Sequence, residues 1–147
     1  MTSADLLHVL LVEDSLADVE LTLEALADSK LANEVSVVRD GAAALDRLRA
    51  GGTAAAPHPD LVILDLNLPK LSGHEVLAAM KADAVLRRIP VAVLTTSAAE
   101  ADVVRTYDLG ANCYLTKPVD VAQFVHVVQS IEDFWLGLVR LPSGRQQ

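Results

Sequence analysis

The sequence is poor in cysteine and in basic side chains, and it has no long apolar segment. Its single cysteine, Cys113, cannot form a disulfide within the chain, so a reducing compartment is expected. Lysine and arginine together number 12 against 20 aspartates and glutamates, and the net charge of −8 argues against nucleic-acid binding, which needs a basic surface. No apolar run approaches the roughly 20 residues of a membrane span, and residues 1–5 lack the basic start of a signal peptide. These absences predict a soluble, cytoplasmic protein with neither a nucleic-acid nor a membrane partner.

Apolar residues are abundant, and they stand in short runs that alternate with amphipathic segments. With 147 residues and 52% apolar content, the chain is predicted to form one domain over 1–140, followed by a short polar tail at 141–147. The patterns predict strands over 6–12, 34–38, 61–65, 90–95 and 112–117, and helices over 16–29, from 41 onward, and over 74–81, 99–109 and 121–138. This alternation favours an α/β fold: a doubly wound, five-stranded parallel sheet in the order 2-1-3-4-5, as in flavodoxin-like proteins.

Polar side chains stand at the carboxyl ends of four predicted strands. Glu13 and Asp14 follow the first strand, Asp65 ends the third, Thr95 ends the fourth and Lys117 ends the fifth. The first and third strands are neighbours in the predicted order, so three carboxylates should meet there. Carboxylates about 4 Å apart repel by roughly 4 kcal/mol at an effective dielectric of 20, and such a cluster of hard oxygen atoms favours Mg²⁺. Together with the lysine and the hydroxyl, this set is typical of phosphoryl transfer, with Asp65 as the nucleophile.

The set and its spacing resemble the receiver domain of bacterial two-component response regulators, over nearly all of residues 6–136. The resemblance implies that Asp65 accepts a phosphoryl group from a histidine of a sensor histidine kinase. It also implies that Glu13, Asp14 and Asp65 hold Mg²⁺ together with the backbone carbonyl of Asn67.

The same resemblance implies roles for residues near the ends of the fourth and fifth strands. Lys117 would pair with the phosphoryl group, and the Lys117–Pro118 bond would be cis. Thr95 would turn toward the phosphoryl group on activation, and Tyr114 would follow it as the switch aromatic. A half-buried strand tyrosine without a switching role is the alternative for Tyr114.

A narrower resemblance points to the single-domain regulators that partner bacterial and cyanobacterial phytochromes. It is carried by the strings DLNLPK at 65–70 and LTTS at 94–97, by the longer loop before the third strand and by the ending Phe134-Trp135. It implies a bacteriophytochrome-type kinase as partner. Thr96 departs from the wider family, which mostly has a small residue there, so Thr96 could narrow access to the phosphoryl group. Asn67 and Ser97 are further candidates for tuning the rate of dephosphorylation.

The last predicted helix has more apolar surface than docking on the sheet requires. One stripe comprises Val121, Phe124, Val125, Val128, Ile131 and Trp135, and a second comprises Val127, Phe134 and Leu138. The excess predicts a homodimer interface formed by the last helix and strand five, with Val127, Phe134, Trp135 and Leu138 as contacts. The alternative is that Trp135 is covered by the tail of its own chain.

Two other functions are compatible with the sequence. A Mg²⁺-dependent phosphohydrolase could also use Asp65 through an aspartyl-phosphate, but such enzymes usually have a second aspartate where Asn67 stands, and no cap domain is present. A degenerate receiver acting only as an interaction module is opposed by the intact set of acidic, lysine and threonine residues. Nothing after residue 140 could fold alone, so the expected output is a protein contact that changes with phosphorylation.

Overall fold

The sheet has five parallel strands in the order β2-β1-β3-β4-β5. The computed structural model describes residues 6–96, 111 and 113–143, and of residues 133–143 it describes the backbone only. The strands are β1 (Leu7–Val12), β2 (Asn33–Val38), β3 (Leu61–Asp65), β4 (Val91–Thr95) and β5 (Cys113–Thr116). The doubly wound sheet and the strand order predicted from the sequence are therefore confirmed.

Four helices are described, and the first three begin at polar caps that the sequence supplies. The helices are α1 (Leu16–Asp28), α2 (Gly41–Ala50), α3 (Gly73–Ala82) and α4 (Val121–Ser143), with a short 3₁₀ turn at Leu86–Arg88. Ser15, Asp40 and Ser72 accept hydrogen bonds from backbone N–H groups in the first turns of α1, α2 and α3. The helix predicted over 99–109 lies outside the described residues. The last helix continues to Ser143 and does not end at 138.

Two apolar layers cover the sheet, one on each face. Alternate residues of β1 point to opposite faces: Val9 and Leu11 pack with α1 and α4, whereas Leu10 and Val12 pack with α2 and α3. All five residues of β3 and all five of β4 are buried. Burial on both faces explains why these strands are continuous apolar runs in the sequence.

The position of Val127 corrects one prediction. Val127 is 2% exposed and packs with Phe124, Val128 and Ile131 in the core beneath α4. These four positions follow the i, i+3, i+4, i+7 spacing of a single buried helix face, so Val127 belongs to the docking stripe and not to a second, outer one. Val127 therefore packs within its own subunit and does not form the outer stripe that was predicted for the dimer interface.

Within the described residues, no helix is both long and apolar enough to cross a bilayer.

Candidate functional site

Three carboxylates converge where β1 and β3 end. Glu13 and Asp14 follow β1, and Asp65 is the last residue of β3; the register pairs Val12 with Leu64, which places these ends side by side. Oxygen atoms from all three carboxylates lie within 4.8 Å of one another. Glu13 and Asp65 are buried, at 0% and 3% exposure, whereas Asp14 is exposed. The structure thus brings together the acidic residues that the sequence placed at one sheet edge.

Lys117 reaches this acidic cluster from the end of β5. Its Nζ atom lies 2.8 Å from Glu13 Oε1, 3.1 Å from Asp65 Oδ2 and 3.0 Å from Asp18 Oδ2. Its backbone N–H donates to the carbonyl of Thr95 at 2.8 Å, which fixes the base of the side chain to the end of β4. The Lys117–Pro118 bond is cis, as the resemblance implied. The ammonium group is therefore shared by three carboxylates.

Asp18 is the site residue that sequence reasoning missed. In the sequence, Ser15 followed three residues later by Asp18 is typical of a capping-box-like helix start, and Ser15 Oγ does accept a hydrogen bond from the Asp18 N–H at 3.3 Å. Its carboxylate, however, turns toward Lys117, 99 residues away in the chain. The available signal was its position: the first turn of a helix that directly follows β1 lies beside the carboxyl ends of the strands.

The pKa values of Glu13 and Lys117 are both raised, that of Glu13 by burial and that of Lys117 by the carboxylates around it. Burial raises the pKa of Glu13 and outweighs the lowering by Lys117 and by the Ser15 N–H, which donates to Glu13 Oε2 at 3.0 Å. Burial alone would lower the pKa of Lys117, but its bonds to Glu13 and Asp18 and the charge of Asp65 raise that pKa above its ordinary value. Lys117 consequently stays protonated at neutral pH.

The donor set fits a hard divalent cation. Glu13, Asp14, Asp18 and Asp65 bring four acidic groups against the single ammonium of Lys117. Lys117 Nζ contacts the buried Glu13 Oε1 at 2.8 Å, but one ammonium cannot offset the charge of all four carboxylates. Buried carboxylates that are not fully compensated are costly, and a bound cation relieves that cost. Carboxylate oxygens are the ligands that Mg²⁺ and Mn²⁺ prefer.

The other candidate residues that the structure describes differ in solvent exposure. Thr95 ends β4 at 5% exposure, one residue beyond Leu94, which pairs with Asp65. Asn67 is exposed, and its backbone N–H donates to Asp65 Oδ1 at 3.1 Å. Thr96 is exposed beside Thr95, and Tyr114 on β5 is 44% exposed.

Several predicted residues are not placed by the structure. Ser97 lies outside the described residues, as do the side chains of Phe134, Trp135 and Leu138. Their predicted roles in tuning and in dimerisation stay predictions.

Known proteins resemble this chain over most of its length. A profile of the response regulator receiver domain matches residues 9–129. Response regulator Rcp1 of Synechocystis sp. is 49% identical over 137 residues, covering 92% of this chain and 93% of Rcp1. Among solved structures, the bacteriophytochrome response regulator AtBRR is 49% identical with a TM-score of 0.77, covering 88% of this chain and 95% of AtBRR. The phosphorylated cyanobacterial phytochrome response regulator RcpA is 51% identical with a TM-score of 0.70, covering 92% and 98%.

A metal-bound structure exists for one of these relatives. The Mn²⁺-bound form of Rcp1 is 49% identical to this chain with a TM-score of 0.68, covering 92% of this chain and 99% of that one.

Proposed function

Because this chain belongs to the response regulator receiver domain family, we propose that Asp65 accepts a phosphoryl group and that a sensor histidine kinase donates it. The observation that carries the proposal is the placement of Asp65. Its carboxylate is buried at the carboxyl end of β3, 3.1 Å from Lys117 Nζ and next to Glu13 and Asp14. A single carboxylate held beside a fixed ammonium and a cation-binding cluster has the chemistry of a phosphoryl acceptor.

In the proposed transfer, a carboxylate oxygen of Asp65 attacks the phosphorus atom of a phosphohistidine. The new O–P bond forms as the P–N bond breaks, and the electron pair of that bond returns to the imidazole nitrogen. Lys117 offsets negative charge on the phosphoryl oxygens, and Thr95, on the neighbouring strand, offers its hydroxyl as a donor. Glu13, Asp14 and Asp65, with the carbonyl of Asn67, would hold Mg²⁺, which when bound supplies further charge neutralisation at those oxygens.

Response regulators of this type are generally switches and not enzymes. We include self-dephosphorylation at Asp65 in the proposal, with Asn67, Thr96 and Ser97 as the residues that tune its rate. The phosphohydrolase alternative has no structural observation in its favour, because the exposed Asn67 stands where that chemistry needs a second aspartate.

Phosphorylation would act on protein contacts through the ends of β4 and β5. It adds about two negative charges at Asp65, close to the buried Thr95. Movement of Thr95 toward those charges would shift the environment of Tyr114, whose partner in the register, Val93, lies two residues before Thr95. Tyr114 is the larger and more exposed of the two side chains, so it is the one a partner protein would sense.

A phytochrome-type kinase is the partner class that the similarities favour. AtBRR and RcpA, both about half identical to this chain, are named as bacteriophytochrome and phytochrome response regulators. A kinase surface that recognises those regulators would meet a closely similar surface here.

The proposal is tested by phosphorylation with acetyl phosphate, followed by intact-protein mass spectrometry. The wild type should gain the mass of one phosphoryl group only when Mg²⁺ is present, and Asp65→Asn should gain none because the amide is not a nucleophile. Asp46→Asn, the same change at an exposed position on α2, is the matched control and should behave as the wild type. Equal modification of Asp65→Asn and the wild type would refute Asp65 as the acceptor.

A further inference from the structure

Asp18 has no role in the proposed phosphoryl transfer, yet it contacts a residue that does. Its Oδ2 atom accepts a hydrogen bond from Lys117 Nζ at 3.0 Å, and its side chain is 31% exposed. The same Nζ atom contacts Glu13 at 2.8 Å and Asp65 at 3.1 Å. Lys117 therefore has three carboxylate partners.

The three partners of Lys117 differ in what else they can bind. Glu13 and Asp65 belong to the carboxylate group that could hold a metal ion, together with Asp14. Asp18 does not belong to that group. A divalent cation and an ammonium repel each other and compete for the same oxygen atoms, so Glu13 and Asp65 cannot serve both fully. Asp18 is the partner that stays available to Lys117 when a cation binds.

We propose that Asp18 is a positioning residue that holds the Lys117 ammonium when Mg²⁺ binds Glu13 and Asp65. The inference rests on the proposed function and adds a residue to it. With Asp18 present, Lys117 can withdraw from Glu13 and remain beside Asp65, where the phosphoryl group arrives. Without it, Lys117 keeps only Glu13 and Asp65 and competes directly with the cation.

Mg²⁺ affinity measured by calorimetry on the whole protein tests this coupling. Asp18→Asn should weaken Mg²⁺ binding about tenfold, the size of effect found when an outer partner of a metal ligand is removed. The Lys117→Met variant removes the competing cation, and in that background Asp18→Asn should weaken binding by no more than about twofold. Circular dichroism and thermal unfolding establish that each variant is folded.

Glu20→Gln is the matched control, since it removes one carboxylate charge from an exposed position on the same helix. It should leave Mg²⁺ affinity within about twofold of the wild type. An equal loss from Asp18→Asn in both backgrounds would show that Asp18 acts as a distant charge and not through Lys117, and would overturn the inference. Unchanged affinity in Asp18→Asn would overturn it too. A wild type that binds no Mg²⁺ would refute both the inference and the proposed metal site. An equal loss in both backgrounds, or unchanged affinity in Asp18→Asn, would refute the inference alone.

Discussion

Lys117 is the residue on which the electrostatic balance of the site depends. It is the one cation within hydrogen-bonding distance of Glu13, Asp18 and Asp65 in the described part of the chain, and its side chain is only 11% exposed. Burying carboxylates next to one another is tolerable only while a positive charge compensates them. The proposed function needs the opposing charges to be nearly balanced, because the cluster would bind a cation and later a phosphoryl group.

Replacing Lys117 by methionine should therefore lower the free energy of unfolding when metal is absent. We expect a loss of about 3 kcal/mol in EDTA at pH 7, since the variant leaves buried Glu13 and Asp65 uncompensated. Saturating Mg²⁺ should recover a large part of the loss, because a bound cation replaces the missing charge. Urea unfolding with EDTA and with Mg²⁺ measures both values.

The lysine that serves as control is Lys81, on α3 and outside the cluster. The free energy of unfolding of Lys81→Met should change between EDTA and Mg²⁺ by no more than that of the wild type does. If Lys117→Met were as stable as the wild type in EDTA, the described charge balance would be wrong.

The residues of the site were predictable from the sequence to different degrees. Glu13, Asp14 and Asp65 were predictable because strand ends are set by apolar runs, and the strand order then fixes which ends are neighbours. For Asp18, its position after β1 indicated only that it lies near the strand ends. Its contact with Lys117 depends on how far that side chain reaches, which the sequence does not determine.

At the scale of elements, the start of α3 is held against the end of β3 by a close backbone approach. A Cβ atom on Gly73 would lie 2.2 Å from the carbonyl oxygen of Asp65 and 2.6 Å from Cα of Leu66. The Gly73 N–H also donates to the Leu66 carbonyl at 3.0 Å. Only glycine allows this approach, which fixes the backbone that carries the Asp65 carboxylate.

Gly73→Ala should therefore damage both stability and the site. We expect a loss of about 1–3 kcal/mol in the free energy of unfolding, because backbone atoms must move to admit the methyl group. Phosphorylation by acetyl phosphate should also slow, since the displaced atoms include the carbonyl of Asp65. Urea unfolding and mass spectrometry give the two measurements.

Gly51→Ala is the comparison, because its added methyl would meet mainly the side chain of His58, at 3.0 Å, and a side chain can move aside. It should cost less stability than Gly73→Ala and leave phosphorylation unchanged. Equal stability of Gly73→Ala and the wild type would contradict the close approach described here.

The last helix marks the limit of sequence reasoning about elements. Its existence, its start at Val121 and the docking of Phe124, Val128 and Ile131 were predictable from the apolar period, but the burial of Val127 beside them was not. An apolar stripe wider than one face allows more than one docking orientation, and packing against the sheet selected the face with Phe124 and Val127. The prediction that placed Val127 outside failed for that reason.

At the scale of the whole molecule, the remaining question is which surface transmits the phosphorylated state. A groove of about 410 Å³ runs between β5 and the first turns of α4, and Tyr114, Gln123 and His126 line it. We infer that this side of the molecule, with the distal part of α4, forms a homodimer interface. The support is the apolar sequence of residues 134–138, Phe-Trp-Leu-Gly-Leu.

The dimer is tested by placing a charge on the distal part of α4. Leu138→Arg should weaken self-association at least tenfold in Kd, because an unpaired arginine in an apolar contact costs more than about 1.4 kcal/mol. Val85→Arg makes a comparable change at a position that is 55% exposed beyond α3, and it should associate as the wild type does. Sedimentation equilibrium over a range of protein concentrations measures both. A monomeric wild type, or a Leu138→Arg variant that associates unchanged, would refute the interface, and the phosphorylated state would then have to be transmitted by one copy of the chain through Tyr114 and its groove.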